Sequence, residues 1–320
     1  MKLAIASDLH LEFEMFPISN EEGADVLILA GDIAIAADLD PFVEHWKDDY
    51  ARKRSQMFHD FFQRCSHHFK DVIYIMGNHE HYHGDFATTS AIFKERLAYL
   101  NNIRVLDKES VTIGDITFIG STLWTDMNDK DPLTLMNAAD MMSDFNCVIN
   151  SNKLSGNQFP DFQAMGITSQ AFYEKAEHER PPIIMTKKPA KFSPIESARE
   201  HERCLEYITQ VVAEQHDRKF VVVSHHTPSW KSCAGKYAGQ TLMNGCYHTE
   251  LFDFIYDRPQ IKAWIFGHTH HRHNYFIGET ICVCNPRGYK GYEENADTFR
   301  LIYLDLDNIP TEGIDGLKIN

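Results

Sequence analysis

Five short apolar runs in this 320-residue chain each lead straight into a cluster of acidic, imidazole or amide side chains. Leu3-Ala4-Ile5-Ala6 precedes Asp8-Leu9-His10, and Val26-Leu27-Ile28-Leu29-Ala30 precedes Gly31-Asp32. Val72-Ile73-Tyr74-Ile75-Met76 precedes Gly77-Asn78-His79-Glu80, Phe220-Val221-Val222-Val223 precedes His225-His226, and Ala263-Trp264-Ile265-Phe266 precedes Gly267-His268-Thr269-His270. Runs of this length and β-branched content read as buried strands. In an open α/β sheet, ligands collect beyond the carboxyl ends of the strands, so the pattern predicts one edge furnished with Asp, His and Asn from across the chain. Taken singly, Asp8-x-His10 or Gly31-Asp32 is the signature of a turn or a helix cap. Their joint occurrence in this order is not.

The order D-x-H, G-D, G-N-H-E, strand-terminal His and G-H-x-H resembles that of the calcineurin-like metallophosphoesterases, and the resemblance runs from Asp8 to His270. It implies an α/β fold of four layers, an αββα sandwich in which two mixed sheets pack face to face with helices outside both. It also implies two metal positions, one held by Asp8, His10, Asp32 and His270, the other by Asp32, Asn78, His225 and His268, with Asp32 shared. His225 and His226 are neighbours that a strand's alternation turns opposite ways. His225, nearer the strand end, is the expected ligand, and His226, like Asn78, an expected substrate contact.

In the resembling family the histidine equivalent to His79 faces the leaving-group oxygen, which makes His79 the expected general acid. An imidazole of ordinary pKa, about 6.5, suits such an exchange. The other reading of His79 is a group that orients the phosphate without passing a proton. Glu80 either fixes that imidazole or opens the next helix, where an acid favours the dipole.

Mixed imidazole, carboxylate and amide donors suit two divalent transition metals, manganese first among manganese, iron, zinc, nickel and cobalt, rather than magnesium or calcium. Such a pair clamps a phosphoryl group and supplies a bridging hydroxide as nucleophile near neutral pH, so no nucleophilic side chain is needed. Asp8 and Asp32 offset only part of the cations' charge, and the site stays attractive to an anion. The expectation is a phosphatase or phosphodiesterase acting on a small or nucleotide-like phosphate ester. A nuclease of the same superfamily is the alternative, and a scaffold that has lost catalysis is a lesser one, disfavoured because every ligand position is filled.

A formal charge of −15 counts against a nonspecific nucleic-acid binder. The seven cysteines are odd in number with no Cys-x-x-Cys pair, which reads as a reducing compartment. Cys282 and Cys284 share one face of a strand-like segment and read as core. The first strand begins almost at Met1 and no apolar run is long enough to span a bilayer, so the expected location is the cytoplasm.

Ligands that must meet from positions 8 to 270 argue for one catalytic domain over 1–320 with an insertion around 126–194. Phe42 to Phe69 (Phe42, Trp46, Phe61 and Phe62 among charges) and Ile195 to Gln215, behind Ser193-Pro194, read as amphipathic helices. The insertion has few sustained apolar runs and reads as a loop or helical cap. Its Arg180, Lys187 and Lys188 are candidate contacts for a polyanionic substrate. Near the end, Ile281 to Cys284, the turn Asn285-Pro286-Arg287-Gly288 and the closing strand Phe299 to Leu304 read as a hairpin-like unit of the second sheet.

Overall fold

The structure, a computed structural model, describes residues 1–39, 49–215 and 217–309. The first three predicted strands lie in one sheet with a fourth that the sequence reading did not mark: β1 (Lys2–Ala6), β2 (Val26–Ala30), β3 (Asp71–Ile75) and β4 (Ile103–Leu106) are parallel neighbours in that order. The second sheet carries β5 (Glu109–Ile113), β6 (Ile116–Gly120), β9 (Lys219–Val223), β10 (Ile261–Phe266), β11 (His273–Ile277) and β12 (Thr280–Cys284) in the order β11-β12-β10-β9-β6-β5. Its four central strands are parallel and its two edge strands antiparallel.

Alternation along these strands decides the layers. Leu3, Ile5, Val26, Ile28, Ile73 and Ile75 face Phe118, Val221, Val223, Ala263, Ile265 and Val283 in one buried cluster between the sheets. The intervening residues point outward: Ala4, Ala6, Leu27, Leu29 and Tyr74 pack under Phe58, Phe61, Phe62 and Cys65 of the helix Asp49–His68. Phe220, Val222, Trp264, Phe266, Cys282 and Cys284 pack under Cys204, Ile208, Val211 and Val212 of the helix Pro194–Glu214. Those last four sit at i, i+4, i+7 and i+8, the spacing of one helical face. Helix, sheet, sheet, helix is the predicted sandwich. Of the first helical stretch, Phe42 and Trp46 lie outside the described residues.

Two segments depart from the sequence reading. The closing strand β13 (Ile302–Asp305) pairs antiparallel with β1, so the turn at Asn285 to Gly288 crosses from the second sheet to the first instead of closing a hairpin. The insertion is neither loop nor helix alone: β7 (Ile149–Pro160) and β8 (Met185–Lys191) make an antiparallel two-stranded ribbon. Most ribbon residues are exposed, so no apolar alternation marked it. All seven cysteines are free. Among the described residues no helix is long and apolar enough to cross a membrane.

The inter-sheet cluster should dominate stability. Ile28→Ala, at a site with no exposure, is expected to lower the unfolding free energy by about 2–5 kcal/mol. Met136→Ala, at 76% exposure, should change it by no more than about 0.5 kcal/mol. Denaturant midpoints of the two variants check the contrast.

Candidate metal centre

The carboxyl ends of β1, β2, β3, β9 and β10 meet at one edge of the sandwich. Backbone pairing continues past the strands, from Asp8 N–H to Gly31 C=O (2.9 Å), His10 N–H to Asp32 C=O (3.0 Å) and Gly267 N–H to His225 C=O (2.9 Å). Asp8, His10, Asp32, His268 and His270 all hold positive φ, between 46° and 72°. Backbone strain of this kind persists only where the surroundings enforce it, and it concentrates at functional sites. Gly31 and Gly77 are needed for room: a Cβ on Gly31 would lie 2.7 Å from Gly77 N, and one on Gly77 2.8 Å from the His225 ring.

The predicted ligands converge in two overlapping groups. His270 Nε2 lies 3.5 Å from Asp8 Oδ1 and 3.1 Å from His10 Nε2, which is itself 3.8 Å from Asp32 Oδ2. On the other side of Asp32, His225 Nε2 lies 3.3 Å from Asp32 Oδ2 and 3.0 Å from Asn78 Oδ1. Asp32, His225 and His268 offer ligand atoms within 4.8 Å of one another, as do Asp8, His10 and His270.

These atoms fit bound cations. Three imidazoles have Nδ1 anchored, His10 on Glu12 (3.0 Å), His225 on the Ala30 carbonyl (2.9 Å) and His270 on Glu293 (2.6 Å). Each is left with Nε2 facing inward, the tautomer a metal needs. The buried atoms Asp8 Oδ2 and His268 Nε2 have no hydrogen-bond partner at all. Unpaired buried polar atoms are costly, and a cation in each group would satisfy the one that belongs to it.

Sequence reasoning missed Glu12. Its Oε1 accepts from the Nδ1 of both His10 and His79, each at 3.0 Å, and it is almost fully buried. Burial alone would raise its pKa, but those two hydrogen bonds hold it down at about 2. His79 is thereby oriented by Glu12, with Nε2 turned toward the Tyr289 hydroxyl at 3.2 Å and its ring stacked on Tyr82 at 4.1 Å. Burial pushes the His79 imidazole down, and the negative charges of Asp32 and Glu12 lift it instead to about 9. Only its position two residues past His10 marked Glu12, and that is no signal by itself.

Glu80 lies in the single helical turn His79–His81, and its carboxylate does more than open that turn. Its carboxylate accepts from the backbone N–H of Asp32 (2.9 Å), Ile33 (2.8 Å) and Gly77 (2.7 Å) and from the Tyr74 hydroxyl (2.7 Å). It clamps the loop after β2 to the loop after β3. Arg287, in the turn after β12, is buried, and its Nη1 donates to the carbonyls of Leu9 (3.2 Å) and Glu14 (2.6 Å).

A cavity of about 620 Å³ opens over the centre, with Asp32, Asn78, His79, His268 and His270 at its floor and Tyr82, Met142, Ser143, Lys236, Tyr237, Gln240, Met243, Asn244, Tyr247 and Tyr289 among its walls. The insertion reaches it through Met141, Met142 and Ser143. Lys187, Lys188 and Arg180 are not among the lining residues: Lys187 and Lys188 lie on β8, Lys188 over the Phe159 ring, and Arg180 donates to the carbonyls of Tyr173 and Lys175. The expected polyanion contacts are thus not brought to the centre, because the ribbon carries them outward. His226 lies behind the floor, its ring 4.1 Å from His268 and 5.1 Å from Trp124.

Comparison with known proteins accords with this geometry. A solved phosphopantetheinyl hydrolase from Mycobacterium tuberculosis superposes with a TM-score of 0.52 at 14% identity, covering 90% of this chain and 89% of its own. A curated but uncharacterised protein, L509 of Acanthamoeba polyphaga mimivirus, is 22% identical over 265 residues, 78% of either chain. The model of the calcineurin-like phosphoesterase family matches residues 1–272, which takes in every strand end that carries a ligand candidate, and the chain belongs to that family of metal-dependent enzymes.

Proposed function

We propose that this chain is a binuclear metallohydrolase of phosphate esters, with Asp8, His10, Asp32 and His270 at one cation and Asp32, Asn78, His225 and His268 at the other. One observation carries the reading: inward-facing Nε2 atoms and two unpaired buried ligand atoms, in a centre whose Asp32, Asn78, His268 and His270 line a cavity. When bound, two divalent cations there supply Lewis-acid charge for the phosphoryl oxygens and an activated water near neutral pH. Asp32 lies between the groups and brings both to one phosphorus. Manganese leads the transition metals that this donor set suits.

His79 is placed to act on the departing group. Glu12 holds its Nδ1, so Nε2 is the nitrogen that faces the cavity. A proton held at Nε2 would pass to the leaving oxygen, and Glu12 would steady the ring through the transfer. The Tyr289 hydroxyl beside Nε2 keeps that nitrogen aimed.

The walls favour a small substrate with a planar group. Tyr82, Tyr237, Tyr247 and Tyr289 offer faces on which a ring can stack, and Ser143, Gln240 and Asn244 can donate and accept hydrogen bonds. Among the described residues that line the cavity, Lys236 is the only lysine or arginine. A polynucleotide would need a longer basic track, which weighs against a nuclease. We read the chain as one catalytic domain, and its free cysteines as those of a reducing compartment, the cytoplasm.

Elemental analysis of protein purified with metal in excess should find two transition-metal ions per chain, and chelation should abolish hydrolysis. Asp32→Asn should cost more activity than loss of any ligand belonging to one cation alone. One ion per chain at full activity would overturn the proposal.

His79→Gln should keep both ions and slow esters with poor leaving groups by roughly 10²–10⁴. Loss on p-nitrophenyl phosphate should be much smaller, because nitrophenolate departs without a proton. Equal losses would make His79 a phosphate-orienting group.

Tyr237→Ala should raise KM for a nucleotide ester by about fivefold, the worth of one stacking contact of 1–3 kcal/mol at its lower end, and leave p-nitrophenyl phosphate unaffected. Steady-state kinetics on cyclic nucleotides, dinucleoside polyphosphates and a phosphopantetheinyl ester would also rank the substrate classes.

A further inference from the structure

Asn78 is the only amide among the expected ligands, and an amide can present the wrong atom. An amide has an oxygen that binds a cation and a nitrogen that repels one, and the two differ by a half-turn. What faces the amide from behind is Asp144, which opens the one-turn helix Asp144–Cys147 inside the insertion. It is 2% exposed, and its Oδ1 accepts from Asn78 Nδ2 at 2.7 Å and from the Tyr82 hydroxyl at 2.9 Å.

We infer that Asp144 is a positioning residue for the cation on the Asn78 side, its carboxylate locking the Asn78 amide with the oxygen turned inward. A carboxylate only accepts, so the NH₂ must face it and Oδ1 must face the centre, where it lies 3.0 Å from His225 Nε2. The turned amide would set oxygen against oxygen in a buried place and lose a charge-assisted hydrogen bond. The carboxylate is itself held firmly: its neighbour Phe145 packs with Val148 and Phe192 of the insertion and with Trp124 and Ala198 of the body in one buried cluster. The same Oδ1 steadies Tyr82, on whose ring His79 is stacked. The insertion therefore supplies part of the metal centre's supporting shell, and it does so through a residue that touches neither cation nor substrate.

The inference rests on the two-cation reading above, and manganese titration separates the two. With the full chain, calorimetry and the manganese spin-resonance signal should give two ions for the wild type. Asp144→Asn can donate to Oδ1 as readily as it accepts from the amide, so it should weaken one of the two ions by roughly ten- to a hundredfold and spare the other. The exchange Asn78→Asp with Asp144→Asn should regain the second ion, because a carboxylate at 78 presents oxygen whichever way it turns. Asp140→Asn, exposed on the helix before, should leave both affinities as they are.

Fewer than two ions in the wild type overturns the two-cation reading and this inference with it. Two ions in the wild type and two equally tight ones in Asp144→Asn overturn this inference alone. So does an exchange variant that stays short of the second ion, whether or not Asp144→Asn keeps its native circular dichroism.

Discussion

The clamp made by Glu80 is the interaction on which the centre's geometry rests. Two strands of the first sheet deliver ligands from independent loops, and a loop end is ordinarily the least constrained part of a fold. Here one buried carboxylate binds the backbone N–H groups of Asp32 and Ile33 on one loop and Gly77 on the other, with the Tyr74 hydroxyl as a fourth donor. The distance between Asp32 and Asn78 is thereby set by main-chain hydrogen bonds. Bonds from a charged acceptor are stronger than neutral ones, and they also offset the positive φ that Asp32 must hold. Burial and the nearby Asp32 charge lift the Glu80 pKa to about 7, which is the cost of placing a second acid so close to Asp32.

Around this clamp the centre is organised by acids that hold its side chains from behind or from the side, Glu293 from the cavity wall. Glu12, Glu293 and Asp144 each hold the far side of a ligand or of His79. Each fixes which atom of an ambivalent side chain points inward. Imidazole and amide groups suit divalent transition metals only when that choice has been made for them. An acidic chain can therefore build an attractive site for an anion: its carboxylates sit behind the ligands, and the cations would lie in front.

Much of this was legible in the residues. Val26 to Ala30 and Phe220 to Val223 are unbroken apolar runs because their strands are covered on both faces, and such runs stand out. The polar clusters after them marked the edge where they meet. Other parts left no mark. The ribbon from Ile149 to Lys191 is exposed on both sides, so neither period 2 nor period 3.6 appears in it. The closing strand was visible as a strand, but its partner was not, since pairing with β1 depends on a crossover that no local pattern encodes. Glu12, Glu80 and Asp144 act through partners up to 67 residues away. Lys187 and Lys188 looked like substrate contacts because charge is visible in a sequence and direction is not.

The antiparallel closure by β13 has a consequence for when the centre can come into being. Its candidate ligands run from Asp8 to His270, the support for His270 comes from Glu293, and β1 is finally flanked by Ile302 to Asp305. Contacts so distant in sequence form late, after many shorter loops have closed. No early fragment of the chain holds either ligand group, so ions cannot template the fold as they do in small zinc domains. Metal uptake would then be a property of the finished sandwich, and during synthesis residues as far as His270 must have emerged before the candidate groups can assemble.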